Sequence, residues 1–350
     1  MFWQRSARIT SILAVAVALV AVGSAGARTD TGGKAQGERQ QLDAVSLRLG
    51  WVAKGEYAFI YAGIEKGIFK KYGIDLTLSE GRGSLLAMQL VASGSNHFGY
   101  TGGAPYYIAR TQGMAIKMVA VMLQSDPQVL LSWPDDPVRR LNDIEGKSII
   151  LTPGDGFTPL WPAIADARRI DRSKVKELSV GFDARAQLFL SKQATVLPAY
   201  ITNEIYPLED QTKTTFVKIR LANYGWGTLN NGLFTTEKMI AEDPDLVRRM
   251  VAAMTASFNW AADNPRLAAA IMAPRLPGVP LPVVVRVVKA TSKLAHTGLT
   301  QKRPLGWTHA KDWQRSLEIV SRGGVLKSAD VRPVQEYFTN AFIPKPKPKR

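Results

Sequence analysis

The loop that follows the first apolar segment carries side chains suited to an aromatic ligand. Residues 45–49 have an apolar strand pattern, and Trp51, Glu56 and Tyr57 come soon after them. An indole and a phenol offer flat faces to a ring or an apolar tail, and a carboxylate accepts hydrogen bonds from an amine or amidine. Each of the three can instead be an ordinary wall residue of the fold.

Two further loops combine glycine with hydroxyl groups. Gly83 and Ser84 precede a helical pattern, and Thr101 and Gly102 end a short predicted strand. Glycine lets the backbone approach a ligand closely, and the amides at a helix start favour an anion. Arg82 can hold a carboxylate or sulfonate through two hydrogen bonds, or lie in solvent as a loop arginine.

A similar loop recurs near the middle of the chain. Pro153, Asp155 and Phe157 follow a predicted strand at residues 148–151, where a helix is expected to begin. Asp155 either contacts the ligand or interacts with the N-terminus of that helix. Asn203 and Asn231 add two amide side chains to the candidate ligand-binding residues.

Residue types that perform catalysis or bind metals are sparse. The histidines, His97, His296 and His309, are far apart in the sequence, and there is no cysteine. No pair has the spacing of metal ligands, and no Gly-x-Ser-x-Gly nucleophile elbow occurs. We therefore expect no catalytic residue, no metal and no cofactor.

A repeated strand–loop–helix pattern positions the first three loops. Three such units between residues 45 and 103 predict a parallel sheet in an α/β fold. Open sheets of this kind bind ligands at the carboxyl ends of their strands. The sequence therefore predicts that these loops meet at one cleft.

The chain resembles the SsuA-like family of periplasmic solute-binding proteins, which bind sulfonates, taurine and thiamine-pyrimidine precursors. The resemblance extends over residues 45–342 and rests on short motifs in a fixed order. These are Gly50-Trp51, Gly55-Glu56, Glu65-Lys66-Gly67-Ile68-Phe69, Tyr72-Gly73-Ile74-Asp75, Glu80-Gly81-Arg82-Gly83-Ser84, Ala92-Ser93-Gly94, Phe98-Gly99, Leu151-Thr152-Pro153-Gly154-Asp155, Asn231-Gly232 and Pro304-Leu305-Gly306-Trp307.

This resemblance implies a type II periplasmic binding protein fold, with two α/β lobes, two crossovers and the ligand between the lobes. It implies a monomer that closes on a small molecule and delivers it to the permease and ATPase subunits of an ABC importer. We expect lobe one at residues 45–132 and 231–342, and lobe two at 133–230. The chain is expected to cross near residues 131–136 and again near 229–234.

The two ends have distinct compositions. Residues 1–27 read as a cleaved signal peptide, with Arg5 and Arg8 before an apolar run and small residues at 25–27; residues 28–44 read as a flexible leader. Residues 343–350 form a Pro/Lys tail, in which alternate prolines preclude a helix. Export to the periplasm follows, and the absence of cysteine excludes a lipoprotein.

The formal net charge is +16, but no recognition motif for nucleic acid accompanies it. We expect a basic solvated surface and no nucleic-acid partner.

Ligand class is left open by the residues. The aromatic rings, Glu56 and Asp155 favour an aminopyrimidine or another aromatic compound, whereas Arg82 and the helix starts favour a sulfonate or carboxylate. Two rival functions are an enzyme on the same fold, such as a pyrimidine synthase or a lyase, and a subunit that presents ligand to a sensor.

Overall fold

The computed structural model describes residues 41–324, 326 and 330–345. The predicted signal peptide, the leader up to residue 40 and the tail from residue 346 lie outside these residues. Within the described part of the chain, no helix is both long enough and apolar enough to cross a membrane.

Five strands form the first sheet: β1 (Asp43–Leu49), β2 (Ile74–Ser79), β3 (Phe98–Thr101), β4 (Ile116–Val121) and β10 (Gly232–Thr236). Their order in the sheet is β2-β1-β3-β10-β4. β1 is parallel to β2 and β3, whereas β10 is antiparallel to β3 and β4. The expected leader is therefore too long at its end, because Asp43 and Ala44 already pair with β2.

The second sheet has the order β8-β5-β9, and a parallel pair, β6 and β7, lies next to it. A backbone bridge between Ile149 and Val196 joins that pair to the residues just before β8. The strands are β5 (Gln128–Ser132), β6 (Ser148–Leu151), β7 (Lys176–Ser179), β8 (Leu197–Tyr200) and β9 (Val217–Arg220).

The chain passes between the sheets at residues 122–127 and 221–231. Strand β5 was expected to close the first lobe, but it pairs with β8 and β9 of the second sheet. The expected first crossing at 131–136 is therefore placed too late. The expected second crossing at 229–234 runs too far, because Gly232 to Phe234 already belong to β10.

Twelve α-helices occur in the described residues, with short 3-10 turns between some of them. They are α1 (Ala58–Glu65), α2 (Ile68–Lys71), α3 (Ser84–Ala92), α4 (Ala104–Thr111), α5 (Trp161–Arg168), α6 (Arg185–Leu190), α7 (Ile205–Thr212), α8 (Glu237–Glu242), α9 (Pro244–Asp263), α10 (Pro265–Met272), α11 (Leu281–Ser292) and α12 (Ala310–Arg322).

Helix α9 anchors the C-terminal helices to the first sheet. The Asp243 side chain caps it by accepting a hydrogen bond from the Leu246 amide, and Pro244 lies in its first turn. Its apolar stripe, which includes Met250, Met254 and Phe258, is buried in the core with β1 and β3. The methionines on this stripe are thus core residues.

Candidate functional site

A cavity of about 480 Å³, its open mouth included, lies between the two sheets. Its walls come from the carboxyl ends of strands in both halves of the fold: Gly50 follows β1, Thr101 ends β3, Asp155 follows β6 and Tyr200 ends β8. This is where α/β sheets bind ligands, because the loops and helix N-termini meet there. The lining residues are Gly50, Trp51, Lys54, Tyr57, Ser84, Thr101, Gln128, Asp155, Gly156, Arg185, Pro198, Ala199, Tyr200, Asn203, Glu204 and Asn231.

Seven of the residues singled out in the sequence lie together on this wall: Trp51, Tyr57, Ser84, Thr101, Asp155, Asn203 and Asn231. The Thr101 hydroxyl donates to the Ser84 hydroxyl across 2.7 Å, so the loops after β2 and β3 meet as expected. Their contacts with a ligand stay predictions.

Five others are not on the wall. Gly83 donates its amide to the Gly50 carbonyl and precedes α3. A side chain on Gly102 would collide with the Asn230 carbonyl, so this glycine permits close backbone packing. Pro153 is exposed, and Phe157 is fully buried against Trp161.

Glu56, the fifth, is buried and forms a junction that we call the Glu56 clasp, made by Lys54, Glu56, Thr202 and Asn231. One carboxylate oxygen accepts from the Thr202 hydroxyl at 2.7 Å and lies 3.3 Å from the Lys54 ammonium. The other accepts from the Asn231 amide at 2.6 Å. The clasp joins the loop after β1 to the turn after β8, so Glu56 is engaged by protein groups of both halves.

Several wall residues were missed by the sequence analysis: Lys54, Gln128, Arg185, Tyr200 and Glu204. Tyr200, at the end of β8, and Glu204 are close in sequence to Asn203, which the sequence analysis did single out, so this nearness was a usable signal. No such signal pointed to Gln128, because the sequence analysis had placed its strand in lobe one and not with β8 and β9.

Both cations on the wall lie beside a carboxylate. Lys54 is paired with Glu56, and Arg185 lies 3.7 Å from Asp155. Arg185 also donates to the Pro198 carbonyl. Each cation among the described wall residues therefore has a carboxylate neighbour, and the wall offers little attraction to an anion.

The mouth of the cavity is crossed by contacts between the two halves. The Trp51 and Phe182 rings meet edge to face, with centroids 3.6 Å apart. Arg82 and Asp183 form an ion pair at 3.1 Å, but both side chains are about 70% exposed, so the pair contributes little. Arg82 therefore lies at the mouth and not on the cavity wall.

Asp155 belongs to both the cavity and the following helical segment. Its carboxylate accepts from the amides of Phe157 and Thr158. Burial raises the pKa of the Asp155 carboxyl, while Arg185 and the amides oppose the shift. Asp155 is therefore placed for both of the roles that the sequence left open. Its side chain lines the cavity, and it accepts hydrogen bonds from the amides at the start of the helical segment.

The raised pKa predicts a pH-dependent effect of Asp155→Asn. Protonation favours the folded chain, so the contribution of this carboxyl to the free energy of unfolding is complete below the ordinary value of 3.8 and is lost as the pH rises through the raised pKa. Asparagine does not ionise. The variant should therefore gain stability relative to the wild type between pH 3.8 and neutrality. Urea unfolding across that range measures the difference, and a flat or falling difference contradicts it.

Comparisons with known proteins agree with this architecture. The chain is 25% identical, over 91% of each sequence, to the riboflavin-binding protein RibY of Chloroflexus aurantiacus. The periplasmic aliphatic sulphonate binding protein SsuA of Escherichia coli superposes with a TM-score of 0.63 at 12% identity, covering 88% of this chain and 94% of that one. The desulfurization enzyme DSZB superposes with a TM-score of 0.58 at 13% identity, covering 86% and 97%.

These structural similarities confirm the predicted periplasmic binding protein fold and the resemblance to SsuA-like proteins. The DSZB similarity shows that enzymes share this fold. A model of the family described as NMT1/THI5 like matches residues 54–268. The chain therefore belongs to the NMT1/THI5-like family.

Proposed function

We propose that this chain is the solute-binding protein of an ABC importer and captures a small planar heteroaromatic molecule between its two sheets. One observation carries the proposal: the cavity is walled by both sheets, contains the Trp51, Tyr57 and Tyr200 rings, and has a carboxylate beside each of its cations, Lys54 and Arg185. Aromatic walls with a few polar groups suit an uncharged ring with polar edges.

The wall favours this ligand class over a sulfonate or carboxylate. Arg82, which suggested an anion, lies at the mouth and pairs with Asp183. Inside, Lys54 and Arg185 face Glu56 and Asp155. An anion would have to compete with these carboxylates, whereas a neutral ring would not. The relative named for riboflavin binding supports the same class.

Capture by closure follows from how the halves are joined. We propose that the two sheets and their helices are lobes, divided at the crossings 122–127 and 221–231. The contacts of Trp51 with Phe182 and of Glu56 with Thr202 join the lobes in the closed form. A ligand held by both lobes stabilises closure, because the open form lacks half of its contacts.

Binding rather than catalysis is supported by the state of the two buried carboxylates at the cavity, Glu56 and Asp155. Glu56 and Asp155 are each held by a cation and by hydrogen bonds from amide or hydroxyl groups. A general acid or base needs an oxygen that is free to exchange a proton with the substrate. We therefore assign these carboxylates to shaping the cavity.

Titration calorimetry of the mature chain tests the ligand class with three probes: riboflavin, a 4-aminopyrimidine precursor of thiamine, and an alkanesulfonate. We expect a heteroaromatic probe to bind and the sulfonate to bind weakly or not at all. Tight sulfonate binding, with neither ring compound binding, would refute the proposed class.

Export is part of the proposal. The signal-like residues 1–27 predict a mature protein in the periplasm that begins near Arg28 and acts as a monomer with its permease and ATPase. N-terminal sequencing after fractionation measures this. An intact Met1 on protein in the membrane fraction would contradict it.

A further inference from the structure

Gln128 is a buried amide on the cavity wall, and its carboxamide has no hydrogen-bond partner among residues 41–324, 326 and 330–345. It is only 4% exposed and lines the cavity. Its backbone amide donates to the Asp126 carboxylate, whereas its side-chain carboxamide makes no hydrogen bond to another residue within the described part of the chain. Buried polar groups normally have a partner, so this carboxamide is available to a ligand.

Tyr200 places a second polar group beside it. Gln128 and Tyr200 are directly opposite partners on antiparallel strands β5 and β8. Opposite partners project on the same face of a sheet, with Cβ atoms about 5 Å apart. Burial raises the pKa of Tyr200, so the hydroxyl stays protonated, and it accepts a hydrogen bond from Asn230 at 3.3 Å.

Gly156 lies directly against these two groups. A methyl group at this position would lie 2.8 Å from the Tyr200 hydroxyl oxygen and 3.8 Å from Gln128 Oε1. The two polar ends therefore face the same glycine in the loop after β6. Because a side chain there would collide with the Tyr200 hydroxyl, this glycine lets the loop after β6 approach both groups, and all three residues line the cavity.

We propose that Gln128 determines specificity by pairing with a ring edge that carries a hydrogen-bond donor next to an acceptor. This rests on the proposed function. The carboxamide oxygen accepts from the ring N–H or amine, and its NH₂ donates to the neighbouring carbonyl oxygen or ring nitrogen. The Tyr200 hydroxyl donates to a second acceptor. Lactam, imide and aminopyrimidine edges have this pattern, and a sulfonate has no donor.

The test compares Gln128→Met, which keeps the volume but removes the hydrogen bonds, with the wild type. Loss of a two-bond amide contact should weaken riboflavin or aminopyrimidine binding about 5- to 150-fold. Riboflavin methylated at ring N3 lacks the donor. It should bind the wild type weakly and lose little more in Gln128→Met. Gln187→Met changes an exposed glutamine outside the cavity and should bind as the wild type does.

Gln128→Glu separates the two ring types. The riboflavin N–H lies between two carbonyl oxygens, so a carboxylate that accepts from it meets an acceptor on either side. The exocyclic amine of the aminopyrimidine has a ring nitrogen on one side and a ring carbon on the other, so a carboxylate can accept from it with less repulsion. Riboflavin binding should therefore fall more than aminopyrimidine binding.

Wild-type affinity in a folded Gln128→Met would overturn the inference and leave the proposed function standing. Binding of neither ring compound by the wild type would overturn both. If Gln128→Met does not fold, the wild type alone decides. Equal binding of riboflavin and its methylated form by the wild type would overturn the inference, and so would a wild type that binds neither ring compound. Tighter binding of the unmethylated form would support it.

Discussion

Replacing Glu56 with alanine is expected to lower the free energy of unfolding by about 3–5 kcal/mol. The carboxylate is fully buried, and its loss leaves the Lys54 ammonium buried with only the Tyr57 and Tyr200 rings beside it in place of a carboxylate. It also removes the acceptor for the Thr202 hydroxyl and the Asn231 amide. Urea denaturation of the mature chain measures the change.

Two variants separate the charge effect from other causes. Glu65→Ala removes an exposed glutamate and should change stability by less than about 0.5 kcal/mol. The double variant Lys54→Met, Glu56→Gln removes both charges and keeps a hydrogen-bonding side chain at position 56. It should recover most of the loss, because a neutral replacement of a buried ion pair is often tolerated. A loss below about 1 kcal/mol in Glu56→Ala would mean that water reaches the Glu56 clasp.

Trp51→Ala is expected to weaken ligand binding by about 1–3 kcal/mol, the usual cost of removing a well-buried aromatic anchor. Tenfold in the dissociation constant corresponds to about 1.4 kcal/mol. The indole lines the cavity and contacts Phe182 across its mouth, so its loss removes both a ring face and a closing contact. Titration calorimetry with the heteroaromatic probe that binds the wild type measures the loss.

Trp307→Ala is the control for the loss of a tryptophan as such, because Trp307 is half-buried but is not on the cavity wall. Trp307→Ala should bind the ligand as tightly as the wild type does. Trp51→Phe, which keeps an aromatic ring, should retain part of the affinity that Trp51→Ala loses. Wild-type affinity in a folded Trp51→Ala protein would place the ligand elsewhere.

The strand-end loops could be predicted because their signals are local. An apolar strand followed by glycine and a helix start places Ser84, Thr101 and Asp155 at carboxyl ends, and all three lie on the cavity wall. The apolar pattern of the strands and the glycines that follow them are enough for this prediction, because parallel strands present their carboxyl ends at one edge of a sheet.

The remaining features depend on pairings between residues that are distant in sequence. An apolar segment such as β5 does not show which sheet it joins, and its pairing with β8 and β9 decides that Gln128 faces the cavity. The sequence also does not show that Glu56 meets Thr202 and Asn231, which lie far along the chain. A carboxylate expected to bind ligand is therefore a structural junction.

Small-angle X-ray scattering of the mature chain, with and without the probe that binds, tests capture by closure most directly. Two crossings between the sheets, together with contacts that exist only when the halves meet, predict that a saturating ligand lowers the radius of gyration. An unchanged scattering profile with a tightly bound ligand would mean a rigid cleft and would contradict the account.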